Sequence, residues 1–382
     1  MQQSVEMKRK IRILRLISRM NVGGPAIQIG GLMKQISESE FEQRLVTGSC
    51  SKDEIDYLEV NNLDFSQIKL TDFGRSVRPL SDARAFMSIR REIKSFSPDI
   101  IHTHTLKAGV LGRLASMSVS KSAKRVHTFH GHLLYSYFGK LGTQTVIKIE
   151  RYLARHTHVL IAVGNQVKLE LLAKRIGSES QYRVFNPGLD IGSLSDRQLS
   201  KATFLIPNRK LTVTWIGRAV PIKAPHRIIE IAKVCRSRNL DVQFVLVGDG
   251  ELLDELKVKA SDLPVSFLGW QTDIDQILSF SDLVILTSKN EGTPVALIQA
   301  QMAGIPVLTT NVGSASEVLV NNETGFCLEY TARDFADKIE FFLHNPEARV
   351  TFGRSGKEFA NEKFSLLRFV RDHVDLYKNL MT

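Results

Sequence analysis

The chain has 382 residues and is 43% hydrophobic, enough for two domains with substantial cores, and no apolar run reaches the ~18 residues of a membrane-spanning helix. Its 51 Lys+Arg against 40 Asp+Glu give a net charge of +11. The three cysteines, Cys50, Cys235 and Cys327, are scattered and form no CxxC, which argues against a disulfide framework and for a reducing cytoplasm.

The first apolar stretch, "IRILRLIS" (11–18), reads as a strand; Arg12, Arg15 and Arg19 keep it from fitting a secretory signal. "NVGGP" follows and leads into a helix, with Gly23 and Gly24 allowing close approach of the backbone to a ligand. Further strands are expected at "QRLVTGS" (43–49), "DIIHTHT" (99–105), "KRVHTFH" (124–130) and "HVLIAV" (158–163). "DARAFMSIRREIKSF" and "NQVKLELLAKRI" are amphipathic helices between them, the alternation of a parallel, doubly wound α/β sheet. Five of the ten histidines, His102, His104, His127, His130 and His132, crowd into residues 102–132. Strand alternation puts His102 and His104 on one face. With almost no Asp, Glu or Cys beside them, packing or hydrogen bonding to a ligand explains them better than a metal.

A polar, punctuated stretch at 187–209 reads as a linker, and the rhythm then restarts. "LTVTWIG" (211–217), "VQFVLVG" (242–248), "VSFLG" (265–269), "LVILTS" (283–288) and "PVLTTN" (306–311) are strands of a second lobe. In open parallel sheets ligands bind beyond the carboxyl ends of strands, so the residues there carry the chemistry. Arg218 and Lys223 lie in the first such loop and suit a diphosphate. "VGDGELLDEL" lacks the third glycine of a dinucleotide fingerprint, because Leu253 stands there. "TDIDQ" reads as helix capping rather than a metal-binding DxD. In "EGTPVALIQAQMAG", Thr293 is the expected N-cap and Pro294 the first helical residue, with Glu291 at the positive end of the helix. The tail "LLRFVRDHVDLYKNL" is a last amphipathic helix able to cross back to the first lobe.

The charge is one-sided. Residues 1–190 hold 29 Lys+Arg and 17 Asp+Glu, a net of +12, and the rest holds 51 − 29 = 22 against 40 − 17 = 23, a net of −1. A basic lobe suits phosphates, an anionic membrane face or nucleic acid. The segment 132–155 mixes Leu, Tyr and Phe with Lys140, Lys148, Arg151 and Arg155, a pattern that suits an interfacial surface and equally a core-facing helix with a basic outer face.

"NVGGP", "HTFHG", "GRAVPIK", "VGDGEL", "FLGW" and "EGTPVALIQAQMAGIPV", in this order, resemble a retaining glycosyltransferase of family 4, of the bacterial surface-polysaccharide type. The resemblance implies the GT-B fold, two Rossmann-like lobes facing a central cleft. Residues 1–190 would form the acceptor lobe, 191–365 the nucleotide-sugar lobe, and 366–382 a helix packing back on the first. It implies that Arg218 and Lys223 bind the donor diphosphate and that Glu291 hydrogen-bonds the donor sugar. Backbone N–H groups of Gly292, Thr293 and Val295, around Pro294, would meet sugar and phosphate oxygens. His130 would contact the sugar near the reacting carbon, and Gly23 and Gly24 would close over the donor. Gly217, Gly248, Leu268 and Trp270 would line the nucleotide. The family's second acid, which binds the ribose, is replaced by Gln299, at a loss of roughly 1 kcal/mol of charge assistance.

The expected activity is transfer of a hexose or N-acetylhexosamine from a nucleoside-diphosphate sugar, UDP favoured, to a hydroxyl of a lipid-linked saccharide. No metal or other cofactor and no nucleic acid are implied. The expected place is the cytoplasm, peripheral to the inner face of the membrane. A nucleotide-sugar epimerase of the same fold and a disabled, binding-only descendant are the alternatives.

Overall fold

The structure, a computed structural model, describes residues 9–51, 54–74, 77–131 and 139–382. His132 and the first part of the 132–155 segment lie outside the described residues. The chain divides into two compact units, one ending at Gly188 and completed by Leu366–Thr382, the other Leu189–Ser365.

The first unit runs β1 (Ile11–Ile17), α1 (Gly24–Gln35), β2 (Phe41–Gly48), α2 (Tyr57–Val60), β3 (Gln67–Leu70), α3 (Pro79–Phe96) and β4 (Ile100–His104). It continues α4 (Leu106–Val119), β5 (Lys124–Phe129), α5 (Lys140–Ala154), β6 (Val159–Ala162), α6 (Asn165–Ala173) and β7 (Tyr182–Val184). Its strands are parallel, in the order β3-β2-β1-β4-β5-β6-β7. The central strands are near-continuous apolar runs because helices cover both faces of the sheet. On one face α3 and α4 bury Leu14, Leu16, Ile89, Ile93 and Ile101.

The second unit runs α7 (Arg197–Thr203), β8 (Leu211–Ile216), α8 (His226–Ser237), β9 (Val242–Val247), α9 (Leu253–Lys259), β10 (Val265–Gly269) and α10 (Ile274–Phe280). It ends with β11 (Leu283–Leu286), α11 (Val295–Met302), β12 (Val307–Thr310), β13 (Gly325–Leu328), α12 (Ala332–His344) and α13 (Pro346–Phe364). The sheet order is β10-β9-β8-β11-β12-β13, again all parallel. Both sheets therefore reverse direction beside their first strand, β1/β4 in one and β8/β11 in the other.

The last helix, α14 (Leu366–Met381), covers the other face of the first sheet, where Phe369, Leu376 and Tyr377 pack on Ile13, Leu32, Phe41 and Val126. The chain leaves the first unit at Gly188 because that residue lies against α14. A Cβ there would come within 2.2 Å of Phe369 Cβ. Leu189 N–H bonds Phe364 O at 2.8 Å, within the second unit. The stretch expected as a linker is partly helix. Asp196 caps α7 by accepting from Leu199 N at 2.8 Å, and Arg197 pairs with Asp282 at 2.8 Å.

One ion pair of the first unit is fully buried. Both Glu150 carboxylate oxygens accept from Arg113 Nη2, at 2.7 and 2.8 Å, and Arg113 Nε donates to Gly109 O. Glu150→Ala strands the guanidinium and is expected to cost about 3–5 kcal/mol, read as a lower urea midpoint for this unit. Replacing the pair together, by Arg113→Met with Glu150→Leu, is expected to recover most of it. Equal loss in the single and double variants would contradict this.

Candidate active site

The loop after β8 is held by its neighbours through backbone bonds. Gly217 N donates to Val247 O and Ala219 N to Asp249 O, each at 2.9 Å, and Gly248 N donates to Gly269 O at 2.7 Å. Gly248 has φ +128°, and a Cβ there would lie 1.9 Å from Gly217 O. The glycines of "VGDG" thus serve the approach of one loop to the next. Out of this scaffold Arg218 projects as an exposed side chain with no ion-pair partner among the described residues.

Lys223 closes a short turn, Pro221–Lys223, and faces the loop after β11. Lys289 N bonds Ile222 O at 2.8 Å and Thr287 Oγ1 bonds Ala224 O at 3.2 Å, so the two loops at the sheet's reversal are fixed together. Across them Lys223 Nζ donates to both Glu291 oxygens, at 2.6 and 2.8 Å. Ser288 Oγ donates to Glu291 Oε1 at 2.5 Å, and the Glu291 carbonyl accepts from Ser314 N at 3.2 Å. Glu291 is buried, its side chain only 6% exposed. A carboxylate oxygen can accept more than one hydrogen bond, so these contacts do not bar Glu291 from accepting ligand hydroxyls as well.

The helix after Glu291 begins one residue later than expected. Pro294, not Thr293, occupies the capping position of α11, with no side-chain cap. Its ψ of 99° keeps it outside the helix, while its carbonyl accepts from Leu297 N and Ile298 N at 3.2 and 3.4 Å. The N–H groups of Val295 and Ala296 therefore precede the helix's own ladder and carry its positive end. Gln299 lies one turn along from Val295, half-buried.

The structure thus gathers Gly217, Arg218, Lys223, Gly248, Glu291, Gly292, Thr293, Pro294, Val295 and Gln299 at the carboxyl end of the second sheet. Trp270 is 36% exposed beside them. Leu268 differs: its side chain packs on the core formed by Val245, Ile277 and Phe280, and its carbonyl accepts from Gln271 Nε2 at 2.7 Å. Ser288 was not expected; a hydroxyl three residues before a motif acid is its only sequence signal. Asp273 caps α10 through Gln276 N at 2.9 Å, and Asp275 accepts from Gly192 N at 2.7 Å.

Gly23, Gly24 and His130 lie in the first unit, at the corresponding end of its sheet. Gly24 opens α1, and His130 follows β5. Behind His130 stands a column of buried histidines. His104 Nδ1 is 3.0 Å from His130 Nε2, and the His102 and His104 rings lie tilted by 34° with centroids 4.1 Å apart. His102 bonds Tyr377 OH at 2.7 Å and Thr128 Oγ1 at 2.8 Å. Arg15, fully buried, reaches Tyr377 OH at 2.8 Å, Gln43 Oε1 at 3.1 Å and His102 Nδ1 at 3.3 Å, all uncharged partners. Burial, and then the Arg15 charge, holds His102 well below 6.5. Burial, and then neighbouring His102, does the same for His104, and burial with Arg113 for His127. Burial alone lowers His130 to about 4, and chiefly burial lowers His373 to about 3. The column is neutral at pH 7.

Two family models match: "Glycosyltransferase Family 4" over residues 22–192 and "Glycosyl transferases group 1" over residues 196–359. The chain is similar to the Escherichia coli UDP-Gal:alpha-D-GlcNAc-diphosphoundecaprenol alpha-1,3-galactosyltransferase, 30% identical over 288 residues, 72% of each chain. It is 25% identical over 325 residues to the Staphylococcus aureus capsular polysaccharide biosynthesis glycosyltransferase CapM, covering 80% of this chain and 83% of that one. Anabaena HepE in complex with UDP and glucose shares the fold, with a TM-score of 0.81 at 21% identity, over 97% of this chain and 100% of its own.

Proposed function

The chain belongs to the glycosyltransferases of family 4, with the GT-B fold, and from that premise we propose that it moves a hexose or N-acetylhexosamine from a UDP-sugar to a hydroxyl of a lipid-linked saccharide, with retention at the anomeric carbon. The observation that carries this reading is the Lys223–Glu291 pair, set across the β8 and β11 loops where the second sheet reverses. A carboxylate held there accepts hydrogen bonds from sugar hydroxyls. Lys223, the exposed Arg218 fork and the start of α11 place positive potential where charge develops on the departing diphosphate. The diphosphate itself assists removal of the acceptor proton, so no side-chain nucleophile is required. Donor and acceptor class rest on relatives: one whose name specifies UDP-Gal and a diphosphoundecaprenol-linked sugar, and one of capsular polysaccharide synthesis.

The test is incubation of the purified protein with UDP-, GDP- and ADP-sugars and a membrane lipid extract in EDTA, followed by mass spectrometry. One UDP-sugar consumed only with lipid, to an α-linked product from an α-donor, is expected. Donor conversion without lipid points to an epimerase or hydrolase. No turnover, and no thermal stabilisation by any sugar nucleotide, overturns the reading and makes Gln299→Glu the first variant to make.

The acceptor lobe in this reading is the basic first unit, working at the inner face of the cytoplasmic membrane. On α5, Leu141 is 84%, Tyr152 50% and Ile149 37% exposed, beside exposed Lys148 and Arg155. Among the described residues no helix is long and apolar enough to cross a membrane. The protein is expected to float with phosphatidylglycerol vesicles at low salt, and Leu141→Glu with Tyr152→Glu to weaken flotation at least ~10-fold. Equal flotation on neutral phosphatidylcholine would remove the electrostatic part of this proposal.

A further inference from the structure

We propose that Thr105 is an acceptor-contacting residue: its hydroxyl donates a hydrogen bond to an oxygen of the saccharide that receives the sugar. This rests on the reading above, in which the first unit is the acceptor lobe.

Thr105 stands between β4, which ends at His104, and α4, which begins at Leu106, so strand turns into helix over a single residue. Both flanks are fixed. His104 is in register with Ile17 of β1 and Thr128 of β5, and Thr105 O already accepts the first bond of the helix, from Gly109 N at 2.9 Å. α4 also lies tight on the sheet. A Cβ at Gly109 would come within 2.5 Å of His127 Cε1, and one at Gly112 within 2.7 Å of Thr103 Cγ2. The turn is therefore made at Thr105 itself, which has φ 66° and ψ 161°. That region is essentially confined to glycine, and a β-branched residue is a pronounced outlier in it.

Little within the protein offsets this strain. The Thr105 side chain makes one hydrogen bond, between its Oγ1 and Ser18 Oγ at 3.1 Å. A glycine would make the same turn without strain. What threonine adds is a hydroxyl in a particular place. It stands at the carboxyl end of the first sheet, between β1 and β4, where the strand order reverses and ligands of open parallel sheets bind. A sharp, strained strand-to-helix turn is also how hydrolase folds lift a serine hydroxyl above a sheet. There a base activates it. Here its partner among the described residues is a serine, so the role is binding and not attack.

Ser18 sets the direction of that hydroxyl. It is 5% exposed, and among the described residues Thr105 is the one partner of its side chain. A buried hydroxyl hydrogen without an acceptor is costly, so Ser18 donates to Thr105. The Thr105 hydrogen is then spare. Thr105 is only half-buried, and that hydrogen is available to an oxygen outside the protein.

The test separates the hydroxyl from the strain in three variants of the full chain. Thr105→Gly removes both, Thr105→Ala removes the hydroxyl and keeps the strain, and Thr105→Ser keeps both. Initial rates are taken with the membrane lipid extract and whichever UDP-sugar the wild-type protein consumes, varying each in turn. Thr105→Gly and Thr105→Ala are expected to raise the KM for the lipid acceptor ~10-fold with the donor KM within twofold, and Thr105→Ser to stay within threefold of wild type in both. Thr105→Gly alone is expected to raise the urea midpoint of the first unit, by about 0.5 M. That transition is the one seen by circular dichroism but not by tryptophan fluorescence, since both tryptophans lie in the second unit. An acceptor KM unchanged in Thr105→Gly and Thr105→Ala, a rise in the donor KM instead, or an equal loss in Thr105→Ser overturns the proposal. A midpoint that does not rise in Thr105→Gly removes the strain on which it is built. If the wild-type protein consumes no sugar nucleotide, the transferase reading falls and the acceptor contact with it. The midpoints still decide the strain by themselves, so the two failures are told apart.

Discussion

Acidification from pH 7 to pH 5 is expected to unfold the first unit while the second stays folded. His102, His104, His127 and His373 are at most 3% exposed and are held neutral, chiefly by burial. Their folded pKa values lie below the ordinary 6.5, so between the two the unfolded chain binds more protons. Their stabilising contribution is complete above about pH 6.5 and is lost as pH falls toward the lowered values. At pH 5 His373, lowered to about 3, alone contributes a loss of about 2 kcal/mol, and His102, His104 and His127 add to it in the same direction, against a typical domain stability of ~5–15 kcal/mol. The second unit has only His226 and His344, neither deeply buried. Both tryptophans, Trp215 and Trp270, lie in that unit, so fluorescence reports it alone. Far-UV circular dichroism should lose part of its amplitude near pH 5 while fluorescence stays native. Coincident loss of both signals, or full ellipticity down to pH 4, would refute the assignment.

Arg218→Ala and Lys223→Ala are expected to differ in kind, although both remove a positive charge from one loop. Arg218 is exposed and makes no ion pair or side-chain hydrogen bond among the described residues, so its loss should leave the melting temperature within about a degree. Its contribution appears only as charge develops on the diphosphate, and transfer should fall ~10²–10³-fold, mostly in kcat. Lys223 also neutralises Glu291, which is otherwise buried. Its loss should reduce transfer comparably and cost about 2 kcal/mol of stability as well, less than a fully buried pair because Lys223 is itself 25% exposed. Paired thermal melts and initial rates separate the two. Unchanged turnover in Arg218→Ala would remove it from the donor site.

The sequence announces what burial makes periodic or continuous. The ten strands read from it are apolar runs, nine of them flanked on both sides by others in the sheets. β3, β7 and β13, which escaped notice, are all edge strands of three or four residues, and "QIKL" in β3 alternates between exposed and half-buried. An edge needs apolar cover on less of its surface, so no run of hydrophobic residues marks it. α7 was hidden within a polar stretch because its signal is a single cap, Asp196. At the candidate site, Arg218, Lys223 and Glu291 were legible as charges placed just beyond strands. Ser288 and the His104–His130 contact were not, because each depends on the depth at which one strand's end meets the next, which only the folded sheet sets.

The first unit is closed by residues made only after the whole of the second. At ~5–20 residues per second, the stretch 189–365 takes roughly 10–35 s to synthesise after Gly188. Throughout that time Ile13, Leu32, Phe41, Ile100 and Val126 await Phe369, Leu376 and Tyr377. The nascent chain therefore carries an open apolar sheet face for most of its birth. A chaperone that shields such surfaces should engage it early and release it only once α14 has been made, and a stop codon just before Leu366 should leave a product destined for proteolysis rather than a shorter enzyme.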